Sequence, residues 1–594
     1  MFAHATRGRR PRSSLQSRTL GVASALALLS AGGDQALALE TASKANSATQ
    51  APLSATFEWF EYEGADPSDA AFKPTASQYA NPILKGTYPD PAVMRVGKDF
   101  YFVSSTFAWF PGLPVFHSTD LVHWAQIGNA IDRPGMLDFG RLGLSRAVFA
   151  PTLSHHDGVF YILNTCVDCR GNFLITATDP KGPWSDPVWL PAVEGIDPYL
   201  FFDDDGAALI VFNGEPPGPA EYSGHRAIWA IAYDIKAKKT VGERRLLLDK
   251  GVNPAAKPIW PEGPHILKKD GWYYLIAAEG GTAEGHSQVA LRSKSAWGPY
   301  VPYPQNPILT QRGLPKDRPL PITSAGHANL VDTPDGKWWA TFLAVRPYGD
   351  DLYNTGRETF LLPVTWKDGW PIILENGKTI PYVHAKPDLP ATAPKPPPTS
   401  GAFKVRENFD GKTLPLDWVT MRIPQQRWWR LDKGKLVLTA RAESIGGMTQ
   451  PSFWGRRQQH LNASASTEMR FAPTKVGDKA GMVAVQNDNH FFFLGVERNA
   501  SGQDEIVLER RAGPNEPEGG VKIASTPVAL KAGAPVWLKV TARGGAYDFS
   551  YALVAGQWKT LKAGEDGTIL STKKAGGFVG ALLGVYALDG APSR

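Results

Sequence analysis

The sequence predicts an all-β chain, made of a five-bladed β-propeller followed by a β-sandwich. Its 594 residues include 59 Gly, 50 Pro, 19 Trp, 18 Tyr and 27 Phe, and turn-forming residues next to aromatic runs favour short strands over helices. A turn followed by an aromatic strand occurs five times, roughly 50–65 residues apart, a spacing typical of repeated four-stranded blades. After a proline-rich stretch the pattern changes to short runs in which apolar and polar residues alternate, which is typical of the strands of a sandwich.

Residues 1–38 predict a signal peptide. A basic segment from Arg7 to Arg18 precedes a small-residue apolar run, Thr19 to Gly33, and Ala36-Leu37-Ala38 supplies a cleavage site. The apolar run is shorter than the ~20 residues that a membrane-spanning helix needs. We therefore expect no membrane span, and an exported protein that is periplasmic or secreted.

The charge of the chain excludes a nucleic-acid partner. Lys and Arg number 63 against 57 Asp and Glu, a formal net charge of +6, and several of the positive residues lie in the predicted signal peptide. The remaining body is close to neutral, whereas nucleic-acid-binding domains carry a marked basic excess.

Cys166 and Cys169 are the only two cysteines. A disulfide-rich scaffold is therefore excluded, and a zinc ribbon would need a second pair. Three interpretations remain, namely a local disulfide, half of a metal site, or two unbonded loop thiols. The last of these is the one expected here.

The five repeats place the propeller at residues 75–384. Each contains a turn flanked by apolar strand residues, the strongest local signal for a hairpin. The repeats are GKDFYFVS (97–104), HDGVFYIL (156–163), DDGAALIV (204–211), KDGWYYLI (269–276) and PDGKWWAT (334–341).

Residues 385–401 predict a linker, and residues 402–594 the sandwich. Ala385 to Thr399 holds six prolines, and such segments act as semi-rigid spacers. The run His490–Phe493 is a candidate for a contact that closes the propeller pocket, although a sandwich core strand is preferred. The sandwich strands include KLVLTAR (435–441), FFFLGVER (491–498), EIVLERR (505–511) and VWLKVTAR (536–543).

The repeats also align a set of polar residues. Nine residues before each turn the chain has Asp90, Phe149, Asp197, Glu262 and His327. Equivalent positions in the blades of a propeller occupy equivalent places around its axis. We therefore expect three carboxylates, a phenyl ring and an imidazole to meet in one central cavity.

Three converging carboxylates favour glycoside hydrolysis. That reaction needs one protonated carboxyl to protonate the leaving oxygen and one ionised carboxylate as base or nucleophile. A third carboxylate nearby raises the pKa of the acid by like-charge repulsion. A calcium cage is the competing interpretation, but Phe149 in the same ring favours a sugar-binding surface.

The motifs resemble glycoside hydrolase family 43, in its β-xylosidase and α-L-arabinofuranosidase branch. This resemblance implies a C-terminal concanavalin-like sandwich and an exo-acting, inverting hydrolase that releases xylose, L-arabinose or both from xylo- or arabinoxylo-oligosaccharides. It implies no required cofactor. The segments that carry the resemblance are residues 81–124, GIDPYLFFDDDG (195–206), WPEGPHILKKDGWYYLIAAEGGT (260–282), AGHANLVDTPDGKWW (325–339) and NTGRETFLLPVTW (354–366).

By the same resemblance the three acids take separate roles. Asp90 would be the general base, Glu262 the general acid, and Asp197 the residue that tunes the pKa of Glu262. Glu279, outside the repeat register, is interpreted as a hydrogen-bonding partner for the loops.

The resemblance further implies a set of substrate-binding residues. Phe107 and Phe149 would form the apolar wall of the first sugar subsite, and Arg357 would hold sugar hydroxyls and pair with a carboxylate. His327 would lie low in the channel, where some relatives hold a Ca²⁺ ion, so a structural calcium site is expected there.

Two other functions stay open at this point. A non-catalytic sugar-binding propeller would use the same funnel without needing a proton donor. A retaining five-bladed fructan or sucrose hydrolase would carry Arg-Asp-Pro where this chain has Ile196-Asp197-Pro198.

Overall fold

The computed structural model describes residues 52–590, and the signal peptide predicted at residues 1–38 lies outside this range. Strands make up almost all of the regular secondary structure of the described chain. No helix in residues 52–590 is long and apolar enough to cross a membrane. The helical elements are the α-helices Pro67–Ala71 and Thr572–Ala575 and the 3₁₀-helices Pro254–Ala256 and Gly567–Leu570.

Five antiparallel sheets form the blades of the propeller, each with its strands in chain order from the axis outward. Blade one holds Ala92–Val96, Asp99–Val103, Gly112–Ser118 and Ala125–Ile131. Blade two holds Thr152–His156, Val159–Val167, Gly171–Ala177 and Val188–Trp189, with Ala147–Val148 added to its second strand. Blade three holds Ile196–Phe202, Ala208–Gly214, Ala227–Asp234 and Lys239–Asp249. Blade four holds Glu262–Lys269, Trp272–Glu279, Ser287–Ser293 and Val301–Pro302, with Leu309–Thr310 added to its third strand. Blade five holds Thr323–Asp332, Trp338–Val345, Glu358–Lys367 and Trp370–Ile372.

The innermost strands close the ring. Each contacts the innermost strand of the next blade, and Thr323–Asp332 of blade five contacts Ala92–Val96 of blade one. The repeated turns join the first and second strands of each blade, as an Asp-Gly turn between alternating apolar runs predicts. The all-β fold class, a five-bladed propeller followed by a sandwich, is confirmed.

The sandwich packs two antiparallel sheets face to face. Along Pro535–Arg543 every second residue is buried, because alternate side chains of a strand point to opposite faces of its sheet. The first sheet holds Trp429–Leu431, Leu436–Thr439, Ser54–Gly64, Asn462–Arg470, Pro535–Arg543, Ala546–Ala552 and Lys559–Asp566, with Phe403–Glu407 paired to its third strand. The second holds Ser452–Arg457, Leu582–Leu588, Lys479–Asn487, His490–Arg498, Asp504–Ala512 and Val521–Pro527.

The strand Ser54–Gly64 precedes the propeller in the chain but lies inside the sandwich, paired with Leu436–Thr439 and Asn462–Arg470. The sandwich is therefore built from both ends of the described chain, and the propeller is inserted between its first and second strands. The predicted boundary at residue 402 leaves this strand out. Two small two-stranded sheets, Gln78–Ala80 with Val383–Ala385 and Trp109–Phe110 with Thr420–Met421, complete the structure.

The proline-rich segment 385–401 is packed against blade one, which differs from the expected spacer. The Oγ1 of Thr392 accepts a hydrogen bond from the N–H of Thr119 at 3.0 Å, and its own N–H donates to Asp120 at 3.2 Å. Leu389 packs against the core of blade one. The polar and apolar residues between the prolines thus attach the segment to the propeller.

Cys166 and Cys169 form a disulfide, so the expectation of two unbonded loop thiols is wrong. Cys166 is fully buried in strand Val159–Val167, and Cys169 follows in the turn to Gly171–Ala177. The hairpin turn holds the two Cα atoms 5.2 Å apart, within the range that a disulfide spans.

The run His490–Phe493 forms part of a core strand, as preferred. Phe492 packs inside the sandwich, whereas Phe491 and Phe493 face the cluster shared with blades one and two. Neither face of the strand supplies the ring that reaches the propeller cavity. That ring comes from Phe578, described below.

Candidate active site

Four of the five residues in repeat register lie at or just before the start of the innermost strands, and His327 lies in the middle of Thr323–Asp332. Asp90, Asp197 and His327 have φ angles of 56°, 54° and 51°, in the left-handed region that non-glycine residues seldom occupy. Such strain persists only where the surrounding structure enforces it, and it is concentrated at functional sites. Three of the five register positions therefore share one unusual backbone conformation.

Asp90 is tightly held. Its Oδ1 accepts a hydrogen bond from Arg357 Nη1 at 2.9 Å, and its Oδ2 accepts one from Ser105 Oγ at 2.5 Å. Nδ1 of His327 lies 3.9 Å from Asp90 Oδ1. Burial alone would raise the pKa of the Asp90 carboxyl, but the charges of Arg357 and His327 and the Ser105 hydrogen bond outweigh it and lower that pKa. Asp90 is therefore an ionised carboxylate that can accept a proton.

Asp197 and Glu262 are joined through the backbone. The N–H of Gly263 donates to Asp197 Oδ2 at 3.0 Å, so Asp197 holds the residue that follows Glu262. Burial raises the pKa of Asp197 to about 6, and the charge of Asp90 adds to that shift. Burial, and then the charges of Asp197 and Asp90, raise the pKa of Glu262 well above its ordinary value.

The cavity thus holds carboxyls in opposite protonation states. Asp90 is stabilised as the anion by a cation, whereas Glu262 is kept protonated by burial and by two neighbouring acids. Pairs of titratable groups whose pKa values are pushed apart in this way are typical of acid–base catalysis. The arrangement can protonate one atom of a ligand while it removes a proton from another.

An aromatic wall lies beside the acids. The rings of Phe107 and Phe149 have centroids 5.4 Å apart, and Phe578 of the sandwich stacks on Phe107 at 5.9 Å. The guanidinium of Arg357 lies 5.5 Å from the Phe578 ring. Three rings and one cation therefore border the cavity, and one of those rings comes from the other domain.

The sandwich also fixes the segment that carries Arg357. The N–H of Ala581 donates to the carbonyl of Asn354 at 2.7 Å, and the amide of Asn354 donates to the carbonyl of Gly567 at 2.9 Å. Gly356 has a φ of 75°, and a Cβ there would lie 2.9 Å from the backbone of Gly580. The two chain segments approach so closely that only glycine fits.

His327 lies against the backbone of Gly263, where a Cβ would come within 2.9 Å of its ring. Burial lowers the pKa of its neighbours His265 and His286 to about 3, so both are neutral. Calcium takes six to eight oxygen ligands, whereas the groups around His327 are two imidazoles and the carboxyls of Asp90 and Asp197, which are already bonded to Arg357 and to the N–H of Gly263. The protein atoms around His327 therefore do not form an oxygen cage.

A second group of metal-ligating type lies outside the propeller cavity. Among residues 52–590, Asp66, Asp69 and His460 have ligand atoms close enough to share a cation. The ammonium of Lys85 lies 2.8 Å from Asp66 and 2.7 Å from Asp69. This lysine already supplies the positive charge that the two acids need.

Seven predicted site residues meet in this cavity, and three others that lie there were missed: Ser105, Thr282 and Phe578. Thr282 accepts a hydrogen bond from Arg357 at 3.1 Å. Ser105 and Thr282 lie on loops outside the repeat register, and no local pattern distinguishes them. Phe578 stands between glycines in GGFVG, and an aromatic residue in such a glycine-rich segment is only a weak signal of a contact.

Two family models match the chain in the order in which its domains occur. One described as "Glycosyl hydrolases family 43" matches residues 79–371. The other, described as "Beta xylosidase C-terminal Concanavalin A-like domain", matches residues 406–594. Together they cover the propeller and most of the sandwich.

Relatives of known activity match along both domains. The chain is 37% identical over 526 residues to a non-reducing end α-L-arabinofuranosidase from Bacteroides ovatus, covering 86% of this chain and 91% of that protein. It is 38% identical over 514 residues to a xylosidase/arabinosidase from Butyrivibrio fibrisolvens, covering 85% and 95%. The crystal structure of a GH43_12 protein from a capybara gut metagenome matches with a TM-score of 0.84 at 37% identity, over 91% of this chain and all of that one.

Proposed function

The chain belongs to glycosyl hydrolase family 43, and we propose that it is an exo-acting glycosidase that releases xylose and L-arabinose from hemicellulose oligosaccharides. The family predicted from the motifs is confirmed. The relatives named above act on xylosides and arabinosides, and the two sugars present similar hydroxyl arrangements at the cleaved bond. The aromatic wall beside the acids offers an apolar surface for a sugar ring.

The observation that carries this proposal is the opposite perturbation of Asp90 and Glu262. The ionised Asp90 takes a proton from water as the water attacks the anomeric carbon. The protonated Glu262 donates its proton to the glycosidic oxygen as that bond breaks. Asp197 keeps Glu262 protonated by like-charge repulsion and orients it through the N–H of Gly263.

The mechanism is a single displacement with inversion. Asp90 lies just before the first strand of blade one, and Glu262 is the first residue of blade four. These two blades are not neighbours around the ring. This placement on non-adjacent blades supports the wider carboxyl separation with which inverting glycosidases admit a water between base and sugar. The reaction needs no cofactor, and a structural Ca²⁺ near His327 would take most of its ligands from water.

We expect the xylose that is first released from 4-nitrophenyl β-xyloside to be the α-anomer. One displacement at the anomeric carbon of a β-xyloside inverts its configuration, whereas two displacements restore it. Proton NMR of the reaction, recorded faster than the anomers interconvert, separates the two signals. The L-arabinose arm uses 4-nitrophenyl α-L-arabinofuranoside with the same protein.

The Asp90→Asn variant under the same conditions is the control, and it measures the anomer signals that arise without enzymatic turnover. An early β-anomer signal would mean that Asp90 is a nucleophile in a double displacement. Binding of xylobiose without any product would favour a sugar-binding protein instead.

We also propose that the protein is exported. The basic segment, the apolar run and the Ala36-Leu37-Ala38 site support this. N-terminal sequencing of protein recovered from a host that secretes it should begin after Ala38. Recovery of the full-length chain from the cytoplasm would contradict export.

A further inference from the structure

Glu279 is a buried acid that the proposed mechanism does not use. It ends strand Trp272–Glu279 of blade four and is 5% exposed. Glu262 pairs directly with Ala278 in the same hairpin. Because successive side chains alternate between faces, Glu262 and Glu279 leave opposite faces of this sheet.

The carboxylate of Glu279 contacts the loop that precedes Glu262. Its Oε2 accepts a hydrogen bond from the N–H of Val252 at 3.2 Å. Gly251 has a φ of 69°, and a Cβ there would lie 2.5 Å from the same oxygen. The backbone at Gly251 and Val252 therefore comes as close to the carboxylate as glycine allows.

This loop, residues 250–261, leads directly into Glu262 and is held at its other end as well. The N–H of Gly280 donates to the carbonyl of Ile259 at 2.8 Å, and the N–H of Trp260 donates to the carbonyl of Gly224 at 2.8 Å. Between these anchors, residues 253–257 are exposed. Glu279 is thus the side chain that ties the entry of the loop to blade four.

The same short segment reaches the other side of the cavity. Thr282, three residues after Glu279, accepts a hydrogen bond from Arg357 at 3.1 Å, and Arg357 holds Asp90. Residues 279–282 therefore connect the loop that bears the acid with the cation that holds the base.

We propose that Glu279 is a positioning residue for the general acid, which it acts on by fixing loop 250–261 through Val252. This inference rests on the proposed function. When the loop is fixed, the Glu262 carboxyl is held where the glycosidic oxygen leaves and is shielded from water. A residue that only stabilised blade four would affect every substrate equally, whereas a residue that places the acid matters most where the leaving group needs a proton.

The experiment compares xylobiose with 4-nitrophenyl β-xyloside, whose leaving group needs little protonation. We expect Glu279→Ala to lower kcat/KM for xylobiose about tenfold or more, and for the nitrophenyl substrate by less than about threefold. In Glu279→Ala, the fall in kcat/KM at alkaline pH should begin at a lower pH than in the parent, because water admitted by the loosened loop lowers the pKa of Glu262. Glu279→Gln should stay close to the parent, since its amide oxygen can still accept from Val252.

Glu284→Ala is the matched control, because Glu284 lies on the same connection but is exposed and paired with Lys316. If Glu279→Ala does not fold, Glu279→Met keeps the length of the side chain without the acceptor. Equal losses on both substrates, or no loss on either, would overturn the positioning role while leaving the proposed function intact. A parent protein inactive on both substrates would instead overturn the proposed function, and this inference with it.

Discussion

Asp90→Asn should lower kcat/KM for xylobiose by about 10²–10⁴-fold, the usual contribution of a general base. An amide cannot take a proton from the attacking water. Asn has nearly the shape of Asp, and its one oxygen in the place of Oδ2 can still accept from Ser105 Oγ and Arg357 Nη2. We therefore expect loss of turnover in a folded protein. Steady-state kinetics measure the loss of turnover, and thermal unfolding followed by circular dichroism shows whether the variant is folded.

Asp99→Asn provides the control in the same blade. Asp99 begins the second strand of blade one, at the end of the hairpin that lies away from Asp90. Its side chain is one-third exposed, and its Oδ1 lies 2.8 Å from Nε2 of His117. Its loss should leave kcat/KM unchanged. If Asp90→Asn kept about a tenth of the parent rate, the usual loss on removal of a general base would be missing and the assignment would be wrong.

The positions of the three acids could be predicted from the sequence alone. The repeat register placed Asp90, Asp197 and Glu262 at the starts of three innermost strands because a propeller repeats one supersecondary unit around its axis. Local pattern was therefore enough for the fold class and for the convergence of the acids. It was not enough for the strand Ser54–Gly64, whose partners Leu436–Thr439 and Asn462–Arg470 lie far away in the sequence.

Other features depend on packing between distant segments, which no short pattern records. Phe578 reaches the cavity because Gly580 meets Gly356 at the domain boundary. The proline-rich segment packs against blade one through Thr392 and Leu389, although its composition is typical of a free spacer. The disulfide between Cys166 and Cys169 is local by contrast, and depends on the hairpin turn that brings their Cα atoms together.

Glu262→Gln should lower kcat/KM for xylobiose by about 10²–10⁴-fold, and for 4-nitrophenyl β-xyloside far less. Glutamine has no proton to donate to the glycosidic oxygen, and a xylose leaving group needs that proton, whereas nitrophenolate departs unaided. Glu284→Gln, on the same blade and exposed, should behave as the parent on both substrates. Equal losses on both would show that Glu262 does not act as the acid.

The pH profile of Glu262→Gln provides the sharper comparison. The parent should lose activity as pH rises through the raised pKa of Glu262, because the ionised form cannot donate a proton, and at low pH only below the lowered pKa of Asp90. In parent protein the alkaline limb belongs to the coupled Asp197–Glu262 pair. The Asp197 carboxyl, whose pKa burial raises to about 6, is already ionised on the alkaline side, so it sets no limb there once Glu262 is replaced. The alkaline limb measured on 4-nitrophenyl β-xyloside should therefore disappear in Glu262→Gln while the acid limb, set by Asp90, stays in place. An alkaline limb that survived the substitution would assign the proton donor to another residue.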